Sequence, residues 1–205
     1  MSEPQRECLL YGSPKRDNLY RLYNSWASFL PMEDISQPTK NTAMKLTLDT
    51  NQLTEYWEKQ ERASVIEELL SLAASGAVEL AVTARIHEDI PRPPLADRIK
   101  ELNALHVHKL PTIARFGYWL LDGNHHFGHK EFFDFSDEIT AMLEKSGVKH
   151  RLPDWRDWDH LHVHWDLKRD IFLTWDKPLL RIRDKLKARF GIEVMTPEEY
   201  LASRV

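Results

Sequence analysis

Apolar positions in this chain follow two rhythms that take turns: short, often branched runs, and longer stretches with a helical period. The first run, 45–48, predicts a strand, and a helix follows from about residue 52. The second half of that helix, 63–74, sets Val65, Ile66, Leu69, Leu70, Leu72 and Ala73 near one face, with Gly76 as its stop. Residues 78–82 (VELAV) predict a second strand. Thr83 then stands where it could cap a short helix over ARIHEDI, which Pro91, Pro93 and Pro94 end. Helical character returns over 96–105. The run 112–121 (TIARFGYWLL) predicts a strand closed by a turn at DGN, and GNHHFGHKEFF, which has no period, predicts a loop. Ser136 is placed to cap a helix through Ser146, with Ile139, Met142 and Leu143 inward and Gly147 as its stop. Residues 158–169 are helical, 171–174 a strand, and 178–190 a basic amphipathic helix ended by Gly191. Residues 192–195 form a last strand, and Pro197 opens a last short helix.

Strand and helix alternate with no tight hairpin signal between the strong strands. The predicted fold class is therefore α/β, a three-layer α/β/α arrangement around a central parallel sheet. Residues 1–43 stand apart as a polar N-terminal extension. Within it, Leu19, Leu22, Tyr23, Trp26 and Phe29 share one helical face, and a stretch containing Pro31 and Pro38 connects to the domain, which begins at 44.

Composition narrows the function classes. The chain has 205 residues, 42% of them hydrophobic, with seven Trp, enough for one domain with extensions. A net charge of −4 means that the molecule as a whole does not attract nucleic acid, so any such contact needs a local basic cluster. Cys8 is the single cysteine, which rules out an internal disulfide and a multi-cysteine zinc site and points to a reducing compartment. The expected location is cytoplasmic with no membrane partner, since no basic-then-apolar leader and no long uncharged apolar run is present.

Candidate chemistry lies in acids at predicted strand ends and helix starts. Asp49 follows the first strand, Asp159 lies in the first turn of a helix, and Asp176 follows the strand at 171–174. A fourth acid comes from HEDI, either Glu88 or Asp89. In an open parallel sheet these positions share the carboxyl edge, where ligands bind. Carboxylates gathered there repel one another. A hard divalent cation such as Mg²⁺ or Mn²⁺ removes that cost, activates a water and offsets charge on a phosphodiester. Taken singly, each acid is also explained by capping, because a carboxylate accepts backbone N–H groups.

LTLDTN, DHLHVHWDLKRDIFLTWDKPLL and FGIEVMTPEEYL together resemble a PIN domain, the Mg²⁺-dependent ribonuclease fold of toxin–antitoxin nucleases and RNA-processing factors. The resemblance covers about 44–90 and 155–205, and implies a PIN-like domain over 44–205 with an insertion within about 91–155. It implies a metal-dependent endoribonuclease in which Asp49, Asp89, Asp159 and Asp176 bind one or two Mg²⁺ or Mn²⁺ ions. Asp89 is preferred to Glu88 because Ile90 follows it in the family's acid-then-aliphatic pattern, and His162 matches a histidine often present in the family. Asn51 and Thr174 are candidates to orient an acid or a water, with turn capping as the alternative. Expected partners are an RNA substrate, an antitoxin or other protein partner, and a second copy in a homodimer.

Two further features bear on chemistry. His160, His162 and His164 alternate. A strand would align all three for a transition metal, as in a cupin-like enzyme, whereas a helix joins only His160 and His164. His125, His126 and His129 lie in the predicted loop. Arg181, Arg183, Lys185, Lys187 and Arg189 make a basic helix after Asp176, from which Arg181 and Lys185 could reach RNA phosphates. Trp175 could stack an unpaired base, while Trp155, Trp158 and Trp165 are equally well explained as core. The alternatives to a ribonuclease are an inactive PIN-like interaction module and a histidine-metal enzyme.

Overall fold

A computed structural model describes residues 43–90, 93–114, 125–127, 130–147 and 157–204. The chain runs through β1 (Met44–Leu48), α1 (Thr50–Trp57), α2 (Ala63–Ala74), β2 (Val78–Thr83), α3 (Ile86–Asp89) and α4 (Leu95–Arg98). It continues through β3 (Val107–Leu110), β4 (Thr112–Ala114), β5 (His125–Phe127), α5 (Lys130–Lys145) and α6 (Asp157–Asp166). It ends with β6 (Ile171–Leu173), α7 (Lys177–Phe190), β7 (Glu193–Met195) and α8 (Pro197–Ala202). The main sheet has the order β3-β2-β1-β6-β7 with every pairing parallel, and β4 pairs with β5 in a separate parallel ribbon.

Alternation along the strands builds the layers. Leu46 and Leu48 of β1 join Leu80 and Val82 of β2 in a core with Leu53, Trp57, Ile66 and Leu69 of α1 and α2 and Tyr200 of α8. Phe172 and Val194 point the other way, into a core with Ile139 of α5, Leu161 of α6, and Ile182 and Leu186 of α7. The result is the three-layer α/β/α fold with a central parallel sheet. Truncating a fully buried leucine such as Leu46 to alanine would cost about 2–5 kcal/mol. Among the described residues no helix is long and apolar enough to cross a membrane.

Several sequence expectations are corrected. The helix expected from residue 52 through 74 is two helices, α1 and α2. The all-polar EKQER between them has no apolar residue to hold a turn against the core, and Lys59 takes a positive φ of 53°. β3 was not foreseen, since it is an edge strand in which only Val107 is buried. Residues 125–127 form β5, not loop, through parallel pairing with β4. The next helix starts at Lys130, so Ser136 is not its cap. Thr83 ends β2 and caps nothing, as the residue before α3 is Arg85. Residues 115–121 of the expected third strand, His129, Trp155 and the extension 1–42 lie outside the described residues.

α6 is seated on the sheet by polar contacts. Thr47, Ala81 and Thr83 are buried. His160 Nδ1 lies 2.6 Å from the Thr83 hydroxyl, and His164 Nδ1 lies 2.9 Å from that of Thr47. Arg169 donates to the same Thr47 hydroxyl, to the Leu46 and Glu79 carbonyls, and to the Glu79 carboxylate at 2.6 Å. His162 turns the other way and packs edge-on to Phe135 and Trp165.

Burial, reinforced by the Arg169 charge, pushes the His164 pKa down to about 3. The unfolded chain binds this proton near pH 6.5 and the folded chain does not. His164 therefore removes stability as pH falls from about 6.5 towards 3, by at most about 1.4 kcal/mol per pH unit. We expect the urea midpoint of wild type to drop more between pH 6 and pH 4 than that of His164→Gln. Equal drops would mean that His164 titrates normally.

Candidate functional site

The sheet order places β2 and β3 on one side of β1 and β6 and β7 on the other, so the topological switch point falls between β1 and β6. Ligands of open α/β sheets bind beyond the carboxyl ends of the strands at such a point. Asp49 and Asp176 flank it. The Asp49 amide extends the ladder by donating to Leu173 O at 3.1 Å. The Thr174 hydroxyl donates to Asp49 Oδ2 at 2.8 Å and accepts from the Asp176 amide at 2.9 Å, linking the two strand ends through one side chain.

The two acids differ in what else they do. Asp176 is the N-cap of α7, accepting from the Leu179 amide at 2.9 Å, and it is exposed. Asp49 stands at the N-cap of α1 but makes no side-chain cap bond. Its carboxylate is turned to Thr174 instead and is half-buried.

Next to Asp49, Thr50 donates to Asp89 Oδ2 at 2.9 Å, and the same oxygen lies 2.9 Å from His160 Nε2. Asp89 therefore meets Thr50 and His160 directly, whereas Glu88 reaches this edge through Arg85. Arg85 extends this network. Its Nε is 3.3 Å from Asp89 Oδ1, and its Nη1 is 3.2 Å from Asp159 Oδ2 and 3.0 Å from Glu88 Oε2. The Arg85 side chain is 5% exposed and that of Asp159 only 1%, while Asp89 at 28% and Glu88 at 44% meet solvent.

Burial acts to lower the His160 pKa, but the hydrogen bond and charge of Asp89, helped by Asp49, outweigh it and raise the pKa. Burial likewise acts to raise the Asp89 pKa. The hydrogen bond and charge of His160, the Thr50 hydroxyl and Arg85 together bring it below the ordinary carboxylate value. His160 and Asp89 thus hold each other in their charged forms.

Four carboxylates without a thiolate are donors that a hard divalent cation accepts. In kind they suit Mg²⁺ or Mn²⁺. In arrangement they do not, because the side chains serve one another: Asp49 serves Thr174, Asp89 serves Thr50, His160 and Arg85, and Asp159 serves Arg85. Among the described residues no group of three or more His, Cys, Asp or Glu is placed to hold a metal ion. The three histidines of α6 are on a helix, so they lack the shared face that a strand would give them.

The remaining expected residues are less central. Asn51 is exposed on α1. Arg62 covers the Trp175 ring at 4.8 Å, and Trp175 Nε1 donates to Glu198. On α7, Arg183 pairs with Glu199, Lys187 with Glu193 and Arg189 with Glu138, while Lys185 donates to Ser146. Arg181 is exposed, one turn beyond the Asp176 cap. Sequence reasoning missed Arg85, Thr50 and the partner of Thr83. ARIHED carries the signal for the first, since an arginine three and four residues before two acids can reach both on a helix.

An acid that does not cap its helix can be replaced with little loss of stability. Asp49→Asn is expected to leave the denaturant midpoint of wild type unchanged or raised, because the amide oxygen still accepts from Thr174. Asp176→Ala is expected to lower stability by about 1 kcal/mol through the lost cap. Equal destabilisation in both would make Asp49 a structural residue.

No family model matches this chain, and no curated protein matches it either.

Proposed function

We propose that the chain is a PIN-like, metal-dependent endoribonuclease whose active site is the carboxyl edge of the sheet around Asp49, Asp89, Asp159 and Asp176. The observation that carries this is Asp49: at the switch point, its carboxylate is held by Thr174 beside Asp176 and is spared from capping. Thr50, Thr174 and His160 are the residues that orient the acids, Thr50 and His160 acting on Asp89 and Thr174 on Asp49. Mg²⁺ or Mn²⁺ could bind only by drawing these acids away from their present partners, and would then supply an activated water and offset charge on the phosphate. Arg181, exposed beside this edge, is the candidate phosphate contact, and an acidic protein needs such local positive charge to hold RNA.

A PIN-like module without activity draws support from Arg85, which already neutralises acids of the edge. Cleavage of a labelled single-stranded RNA pool separates the two. Wild type is expected to cut with Mn²⁺ or Mg²⁺ and to stop with chelator. Asp49→Asn and Asp89→Asn are expected to lose more than about 100-fold in rate, beyond the loss from removing an outer-sphere partner. An intact, folded protein that cuts no RNA with either metal, or variants that cut as wild type does, would favour the interaction module.

A further inference from the structure

Among the described residues most guanidinium groups are spent inside the chain: Arg85, Arg98, Arg169, Arg183 and Arg189 each pair with a carboxylate. Arg62 differs. Its side chain is exposed, and its guanidinium carbon lies 4.8 Å from the centroid of the Trp175 ring. Among the described residues no carboxylate pairs with it and no acceptor takes its hydrogen bonds. We propose that Arg62, seated on Trp175, is a phosphate clamp for single-stranded RNA at the carboxyl edge of the sheet. This names a substrate contact for the nuclease proposed above, and it rests on that reading for the identity of the ligand.

The way the ring holds the cation carries the argument. An indole face attracts a cation through its quadrupole, so it fixes the guanidinium while leaving the five N–H donors unspent. Such a fork fits a phosphate, which accepts two parallel N–H bonds. The ring is itself held. Trp175 packs against the core, and its Nε1 donates to the Glu198 carboxylate, with oxygens at 2.8 and 3.1 Å. Arg62 is therefore preorganised although its side chain is long and exposed.

Placement selects the ligand. Trp175 stands between Thr174 and Asp176, in the turn from β6 to α7 beside the switch point of the sheet. Lys177 and Arg181, at the start of α7, are exposed and have no carboxylate partner among the described residues. Further along the same helix Arg183, Lys187 and Arg189 are each neutralised by an acid. The positive charge that α7 leaves for a ligand is thus at the end that meets the edge. Asp176, the acid between Trp175 and Lys177, is engaged as the cap of α7. A chain of net charge −4 that binds a polyanion needs a local cluster of this kind. An aromatic ring among unspent cations suits a single strand, whose backbone tracks the charge while its bases are free to stack.

The test is fluorescence anisotropy of a short labelled single-stranded RNA with the full chain in EDTA, at several salt concentrations. Wild type is compared with Arg62→Gln, Trp175→Leu and Lys168→Gln, each checked for folding by far-UV circular dichroism. Lys168 is exposed and precedes β6, so its variant removes the same charge at the opposite edge of the sheet. Arg62→Gln is expected to weaken binding about fivefold or more and to reduce the salt slope by about 0.7, the share of one single-strand phosphate. Trp175→Leu, which keeps the cation but frees it, should weaken binding to a similar degree. Lys168→Gln should stay within about twofold of wild type. Where Trp175→Leu does not fold, Arg62→Lys replaces it, and is expected to bind more weakly than wild type because it keeps the charge and loses the fork. Equal effects of Arg62→Gln and Lys168→Gln would make Arg62 ordinary surface charge and overturn the inference. So would a folded Trp175→Leu, or in its place Arg62→Lys, that binds as wild type does. RNA displaced by inorganic phosphate at the same phosphate concentration would mean a site for a free anion, and wild type that binds no RNA would mean no clamp. Each of these leaves the nuclease function to its own cleavage assay. The expected binding pattern in a chain that cuts RNA with neither metal would keep the clamp and overturn the nuclease.

Discussion

An arginine side chain that is 5% exposed is costly to bury without carboxylates beside it, and this requirement organises the carboxyl edge of the sheet. Arg85 precedes α3, a helix of only four residues that would hold little on its own. Pairing with Asp159 ties that short helix to α6, and Asp89 then meets His160 and Thr50. Removing one partner of such a buried pair typically costs about 3–5 kcal/mol, far more than any single surface pair in this chain.

α6 is held to the sheet differently from the other helices. Most pack through leucine, isoleucine and aromatic side chains, while α6 sets two histidines on strand hydroxyls. The two histidines have opposite fates. His164 has no carboxylate partner and stays neutral through burial, whereas His160 gains the charge of Asp89 and holds its proton. His160, with its pKa raised, stabilises the fold below its unfolded value near 6.5, and that contribution is lost as pH rises through the folded value. Asp89, with its pKa lowered, contributes above about 3.8, and its part is lost as pH falls through the folded value. The pair is therefore worth most between those limits, and rigid positioning of Asp89 is strongest there.

Much of the architecture was legible because each central element carries its own local signal. KLTL, VELAV and DIFLT are apolar runs bounded by polar residues, and 63–74 and 178–190 have clean helical periods with glycine stops. β3 and β5 were illegible because each exists through its pairing, with β2 and β4, rather than through an apolar run of its own. Asp49, Asp159 and Asp176 could be read as edge residues because strand ends and helix starts fix their height in the sheet, and Asp89 because it closes the short helix that follows β2. The burial of Arg85 could not be read, since ARIHED gives its pairing with Glu88 and Asp89 but fits a solvated helix turn equally well, and its buried partner Asp159 lies more than seventy residues later. Thr83 was misread because a threonine before a short helix looks like a cap, whereas here its hydroxyl belongs to His160.

Sites that serve a ligand are where local stability rules are broken. Asp49 occupies an N-cap and forgoes the cap bond. Three residues later Gln52 is fully buried, with neither end of its amide hydrogen-bonded, although each unsatisfied group costs about 1–3 kcal/mol. Arg85 is a buried charge. Buried polar atoms without hydrogen-bond partners also include the indole nitrogens of Trp57 and Trp158, in large aromatic groups that are there for packing, and His164 Nε2. Packing explains the two indoles, but it does not explain an acid, an amide and a guanidinium placed within a few residues of the ends of β1 and β2. A fold selected for stability alone would cap α1 with Asp49 and replace Gln52 by leucine. That this chain does neither, beside the switch point of its sheet, sets this edge apart from the rest of the fold.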